Sequence, residues 1–214
     1  MMHEYEDERH RMVEVQIHRR GVRAERVLEA FEQVPRHLFV PVRWRTMAYE
    51  DMPLPIGREQ TISQPYIVAL MTSLLDLQGD ERVLELGTGS GYQAAILSRL
   101  AAEVETVEII PELAEAAARL LSELGYDNVR VHVGDGTLGW PPAAPYRAII
   151  GSAAAPRLPP PVLVQLEDGG RFVLPVAEQY RQLLKLVTRR GDDFDERVIT
   201  RVSFVPMRGE HGWG

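Results

Sequence analysis

The sequence predicts an α/β fold, a doubly wound parallel sheet with crossover helices, and three observations carry that expectation. Short β-branched runs alternate with helical segments through the middle of the chain. The first of these runs, Val83-Leu84-Glu85-Leu86, passes directly into a glycine-rich turn, Gly87-Thr88-Gly89-Ser90-Gly91. A chain of 214 residues also buries roughly 70% of the surface its unfolded form exposes, so it can build a core without disulfides or metal clips.

Taken in order, residues 6–20 carry Met12, Val13, Val15 and Ile17 at the spacing of an amphipathic helix that Gly21 can end. A second helix is expected over 24–34, stopped by Pro35. Residues 35–65 are rich in proline and aromatics without a clear period, which predicts an irregular covering segment. A helix over 66–77 then leads into strands expected at 82–86, 103–109, 129–133, 146–151 and 170–175, with helices at 92–101, 111–124 and 161–166 between them. Two alternating runs, 182–190 and 196–205, joined by Gly191-Asp192-Asp193-Phe194-Asp195, read as a long antiparallel hairpin. One domain is expected, made of an N-terminal cap (1–65), a core (66–176) and a C-terminal hairpin and tail (177–214).

Composition removes several chemistries. With no cysteine, disulfide scaffolds, thiolate zinc sites, iron–sulfur clusters and cysteine nucleophiles are out, and no metal site is expected. Acidic residues outnumber basic ones 31 to 24, for a net charge of −7, which disfavours binding to nucleic acid through a basic face. The apolar run near 66–71 falls far short of the roughly 18 residues a membrane span needs, and the charged N-terminus is unlike a leader. A soluble, cytoplasmic monomer that engages neither membrane nor nucleic acid is expected.

The glycine turn lies where ligands bind in open α/β sheets, beyond the carboxyl end of a strand, and the helix that follows points its N–H groups at the same place. Its spacing favours one ligand over another. A dinucleotide loop wants Gly-x-Gly-x-x-Gly, whereas here the sixth position is Tyr92 and Gly91 comes one place early. Glu85 followed by Gly87, Gly89 and Gly91 gives Glu-x-Gly-x-Gly-x-Gly, the pattern of Rossmann-like S-adenosylmethionine-dependent methyltransferases. Glu108, at the end of the second core strand, is placed for ribose hydroxyls of either ligand. Asp135 and Gly136, after the third, fit the adenine edge, although an aspartate there is equally a turn residue.

Further segments carry a resemblance to a family. Pro35-Arg36-His37-Leu38-Phe39-Val40-Pro41, Gln60-Thr61-Ile62-Ser63-Gln64-Pro65-Tyr66, Gly134-Asp135-Gly136-Thr137-Leu138-Gly139-Trp140, Ala153-Ala154-Ala155-Pro156 and Gly209-Glu210-His211-Gly212-Trp213 closely resemble the protein-L-isoaspartate O-methyltransferases. The resemblance spans roughly residues 10 to 213. It implies S-adenosyl-L-methionine as cofactor and isoaspartyl-containing proteins and peptides as partners. The free α-carboxylate of the damaged residue is methylated, and the ester closes to a succinimide that returns some normal aspartyl linkage. It also implies that Ser63 lies at the active site, that Thr61, Ile62, Ser63 and Gln64 close over substrate and cofactor, and that Glu85, Gly87, Thr88, Gly89, Gly91, Glu108, Asp135, Gly136 and Gln182 hold the cofactor. Two departures from the family pattern stand out: Arg147 where aspartate is usual, and Gly151-Ser152 before Ala153.

Elementary chemistry agrees with ester formation. A carboxylate with an ordinary pKa near 4 is already the nucleophilic anion at neutral pH, so no general base is needed. Methyl transfer asks instead for in-line positioning and exclusion of water. A neutral hydroxyl such as that of Ser63 can orient the carboxylate without quenching it. The competing role for Ser63 is to cap the helix that starts near Pro65. Another methyltransferase reading, amino methylation, wants an Asn- or Asp-Pro-Pro-Tyr segment after the fourth strand, where Ala153-Ala154-Ala155-Pro156 stands.

Overall fold

A computed structural model describes residues 2–213, with side chains from Tyr5 onward; residues 1 and 214, the outer ends of the expected segments, lie outside that range. The N-terminal amphipathic run forms α1 (Met2–Arg11), widens into a π-helical turn (Met12–Ile17) and tightens into a 3-10 turn (His18–Arg20). Gly21 ends it in the left-handed region at φ 103°. Met12, Val13 and Ile17 are the residues it buries. α2 (Glu25–Gln33) follows, and Pro35 prevents its continuation.

The segment expected to be irregular contains more order than its composition suggests. Two 3-10 turns (Arg36–Phe39 and Val42–Met47) lead into a small antiparallel hairpin, β1 (Leu54–Gly57) and β2 (Gln60–Ile62). Its tip places Arg58 and Glu59 at φ 51° and 60°, positions for which a sequence reader looks for Asn or Gly. α3 (Pro65–Leu75) stops where Asp76 turns left-handed.

The core follows the expected alternation: β3 (Arg82–Leu86), α4 (Tyr92–Ser98), β4 (Glu103–Glu108), α5 (Pro111–Glu123), β5 (Val129–Val133), β6 (Tyr146–Gly151), α6 (Pro160–Leu163) and β7 (Leu166–Glu178). Strand order in the sheet is β5-β4-β3-β6-β7, all parallel, extended by two antiparallel strands, β8 (Arg181–Arg190) and β9 (Asp193–Val202). Two expectations change here. The hairpin turn is only Gly191-Asp192, and Asp193, Phe194 and Asp195 are already in the ladder with β8. The strand expected at 170–175 is also longer: β7 runs over Leu166–Glu178 and pairs with β8 along its length.

Neighbouring residues of β3 point to opposite faces. On one face Val83, Val104, Ile150 and Val173 pack with cap residues Met12, Ile17, Phe31 and Phe39. On the other, Leu84, Ile149, Phe172 and Leu174 pack with Val162 of α6. The cap therefore shares a hydrophobic core with the sheet, which fixes the 35–65 segment over its carboxyl ends. No helix among the described residues is long and apolar enough to cross a membrane.

Candidate functional site

Chain direction across the sheet reverses at β3: β4 and β5 lie to one side, β6 and β7 to the other. Such a reversal opens a crevice beyond the strand ends. A cleft lies there, walled by Glu85 to Ser90, Val107 to Ile110, Gly136, Ser152, β2 and the segment from Phe204 to Arg208.

The glycine loop is built by conformations that other residues avoid. Gly87, Gly89 and Gly91 sit at φ 93°, 52° and 86°. A Cβ on Gly89 would lie 3.3 Å from the Ile56 side chain of the small hairpin, and one on Gly91 would lie 3.2 Å from Leu121. Tightness on both sides leaves the backbone free to approach a ligand. The Glu108 carboxylate accepts from the Gly89 N–H at 2.9 Å and the Ile110 N–H at 3.0 Å, which uses two of its roughly four acceptor positions. Two remain for hydroxyls of a ligand.

Glu85 is fully buried. It accepts from the Thr106 hydroxyl at 2.7 Å, and Thr106 in turn bonds Thr88 at 2.7 Å. Burial pushes its carboxyl up to about 8; the Thr106 bond opposes the shift, and the Glu108 charge adds to it. At neutral pH it is a neutral acid in the cleft wall.

Of the expected site residues, Thr61, Ile62, Ser63, Glu85, Gly87, Thr88, Gly89, Glu108 and Gly136 come together in this cleft. Gly91 shapes the loop from behind. Asp135 does not line the cleft: its carboxylate accepts from the Thr137 N–H and hydroxyl and from the Glu210 N–H, 2.7–2.8 Å each, so it caps a 3-10 turn and tethers the C-terminal tail. Gln182 is likewise one step removed. Its side chain both donates to the Phe204 carbonyl (3.0 Å) and accepts from the Phe204 N–H (2.6 Å), and Phe204 is what reaches the cleft.

Gln64 faces a second groove, lined by Pro53, Thr61, Ser63, Ile67, Ser152 and the segment from Arg201 to Val205. Thr61, Ser63, Ser152, Phe204 and Val205 belong to both. Ser63 does not cap α3: its N-cap is Gln64, without a side-chain cap bond. Arg147 lies at the far end of its strand and bonds the Asp168 carbonyl.

Sequence reasoning missed Ser152 as a site residue and the whole strip from Phe204 to Arg208. For Ser152 the signal was present, because it follows the fourth parallel strand at the switch point. The strip carries no motif; Gln182, backbone bonds to Ala154 and the tail contacts hold it over the cleft.

A profile of the family described as Protein-L-isoaspartate(D-aspartate) O-methyltransferase (PCMT) matches residues 7–212. The chain belongs to this family. A protein-L-isoaspartate O-methyltransferase of Dictyoglomus thermophilum is 51% identical over 98% of this chain and 95% of its own length. A second relative, from Shewanella sediminis, protein-L-isoaspartate O-methyltransferase 2, is 55% identical over 94% of this chain and 83% of its own. Among solved structures, a protein-L-isoaspartate O-methyltransferase superposes with TM-score 0.86 at 30% identity, covering 95% of this chain and 67% of that one. A Plasmodium falciparum structure in complex with S-adenosyl-L-homocysteine shares the fold, with TM-score 0.82 at 22% identity over 94% of this chain and 98% of that one.

Proposed function

We propose that the first cleft receives S-adenosylmethionine, that the second groove receives the isoaspartyl segment of a damaged protein, and that Ser63 orients the carboxylate where the two meet. The chemistry is that of the family: methylation of the free α-carboxylate of L-isoaspartyl residues, the ester then closing to a succinimide that starts repair. When bound, S-adenosylmethionine supplies a methyl group on a positively charged sulfur, an electrophile a carboxylate can take without a base.

The chain's own residues then have three tasks. Glu108, with its two unused acceptor positions, and the glycine loop hold the adenosine end, while Gly136 leaves room beside Leu86. Ser63, whose hydroxyl has no hydrogen-bond partner among the described residues, donates to the substrate carboxylate; the attacking oxygen stays free. Thr61, Ile62 and Phe204 close over the junction and exclude water. Asp135 and Gln182 contribute at one remove, through the tail and Phe204. The acidic excess of the chain, −7, supports a protein substrate over a nucleic acid.

The observation that carries this reading is the shared wall of the two clefts at Thr61, Ser63, Ser152, Phe204 and Val205. The test pairs labelled S-adenosylmethionine with two peptides differing only in isoaspartyl or aspartyl linkage. Base-labile label is expected only in the first. Ser63→Ala removes a hydrogen bond to a charged group, about 1.5–3 kcal/mol, so kcat/KM should drop roughly 10- to 150-fold. An unchanged kcat/KM in the folded variant removes Ser63 from the site.

A further inference from the structure

Arg36 takes no part in the chemistry above, yet it heads the fully buried side chains of the protein by size. Its guanidinium donates from Nε to the Ala48 carbonyl at 2.7 Å and from Nη2 to the Ser63 carbonyl at 2.8 Å, and it lies 4.9 Å over the Tyr92 ring. Among the described residues Nη1 is buried without a hydrogen-bond partner, and no carboxylate is hydrogen-bonded to the guanidinium. Burial lowers its pKa to about 10, opposed by Tyr92, Tyr49 and Asp51, so it remains a cation at neutral pH.

Burying an ion without a counter-ion costs several kcal/mol, and a neutral amide could satisfy a backbone carbonyl at less expense. What the guanidinium adds is a rigid fork of donors at fixed angles. Here the fork joins two pieces of the cap, the 3-10 turn at Arg36 and the chain at Ala48, to Ser63, two residues before α3. Gln64 is tied to the same part of the cap, donating to the Asp51 carbonyl at 3.1 Å. The Ser63 side chain is anchored by nothing of its own, so its direction is set by this backbone. Arg36 lines neither cleft, which lets its charge favour an anion near Ser63 without contacting the attacking oxygen.

We infer that Arg36 is a positioning residue for methyl transfer: by holding the Ser63 carbonyl it aims the Ser63 hydroxyl at the junction of the two clefts. The inference rests on the reading that Ser63 orients the substrate carboxylate.

Two variants separate positioning from stability. Arg36→Lys keeps the charge but cannot span both carbonyls. Arg36→Gln removes the charge, and replacing a buried ion by a neutral group need not destabilise the fold. Rates are expressed per cofactor-binding site measured by calorimetry, so a partly unfolded sample still gives an answer. Both variants are expected to lose at least tenfold in kcat/KM for an isoaspartyl peptide, mostly in kcat, with cofactor affinity within threefold of the parent. In a Ser63→Ala background the Arg36→Lys change should cost less than threefold more, because the group it aims is gone.

Wild-type kcat/KM per site in both Arg36 variants overturns the inference, and so does a loss that multiplies in full with that of Ser63→Ala. If Ser63→Ala alone turns over normally, it is the reading of Ser63 that fails. If Ser63→Ala is impaired and the Arg36 variants are not, only the positioning role falls.

Discussion

Replacing Glu85 by Gln should flatten part of the pH dependence of stability. Glu85 has no solvent exposure, and burial pushes its carboxyl from 4.5 up to about 8. The unfolded chain releases that proton near its ordinary pKa, so between the two values folding takes up a proton. A raised folded-state pKa contributes stability that is complete below the unfolded pKa and is lost as pH rises through the folded one. One proton is worth about 1.4 kcal/mol per pH unit, so about 2–3 kcal/mol should disappear between about pH 5.5 and about pH 7.5. Gln has nearly the same shape, can still accept from Thr106 and does not titrate. Urea unfolding of both proteins at the two pH values, without cofactor, gives four stabilities. Contributions of every other group are common to both proteins and cancel in the difference. The parent should lose about 2–3 kcal/mol more than Glu85→Gln across the window. Parallel losses would mean that Glu85 is ionised in the folded protein, and the description of the cleft wall would have to change.

Two further outcomes bear on the cofactor cleft. Glu108→Ala removes the acceptor for the Gly89 and Ile110 N–H groups as well as the proposed ribose partner, so S-adenosylmethionine affinity by calorimetry should fall by at least about 2 kcal/mol, roughly 30-fold. Gly209 sits at φ 134°, and a Cβ there would collide with the Asp135 carboxylate; Gly209→Ala should strain the tail by about 1–3 kcal/mol and weaken cofactor binding through Pro206, Met207 and Arg208, with little change in KM for the peptide.

The α/β alternation was legible in the sequence because buried parallel strands read as near-continuous apolar runs. The glycine loop was legible because three left-handed backbones in five residues leave few alternatives to glycine. What composition hid was order made by pairing. β1 and β2 are only four and three residues long, and their turn uses Arg58 and Glu59 where no turn signature appears. At the sheet edge, Asp193 and Asp195 look like loop residues because the outer strand faces solvent. The site divides along the same line. Residues set by local backbone geometry, from Gly87 to Gly89 and at Glu108, line the cleft. Asp135 and Gln182 were assigned to the ligand, while Asp135 bonds its neighbour Thr137 and also Glu210, and Gln182 bonds Phe204, the last two partners 75 and 22 residues away. Contacts of that range leave no trace in spacing.

The acidic balance of the chain runs against a substrate that brings its own carboxylate, and the local arrangement resolves the conflict. At physiological ionic strength charges more than about 8 Å away across solvent are largely screened, so the −7 of the whole chain says little about the junction of the clefts. Of the two carboxyls in the cofactor wall, Glu85 is neutral at pH 7 because burial keeps its proton on, and Glu108 spends its charge on two backbone N–H groups. Among the described residues, Arg201 is the single ionisable side chain on the wall of the second groove. Behind Ser63 lies the buried cation of Arg36. Each of these removes negative charge from the place proposed for the substrate carboxylate or adds positive charge to it, and none requires a cation to grip the attacking oxygen. An ion pair there would bind the substrate more tightly and make it a poorer nucleophile. A hydroxyl in front of a buried, indirect charge avoids that conflict.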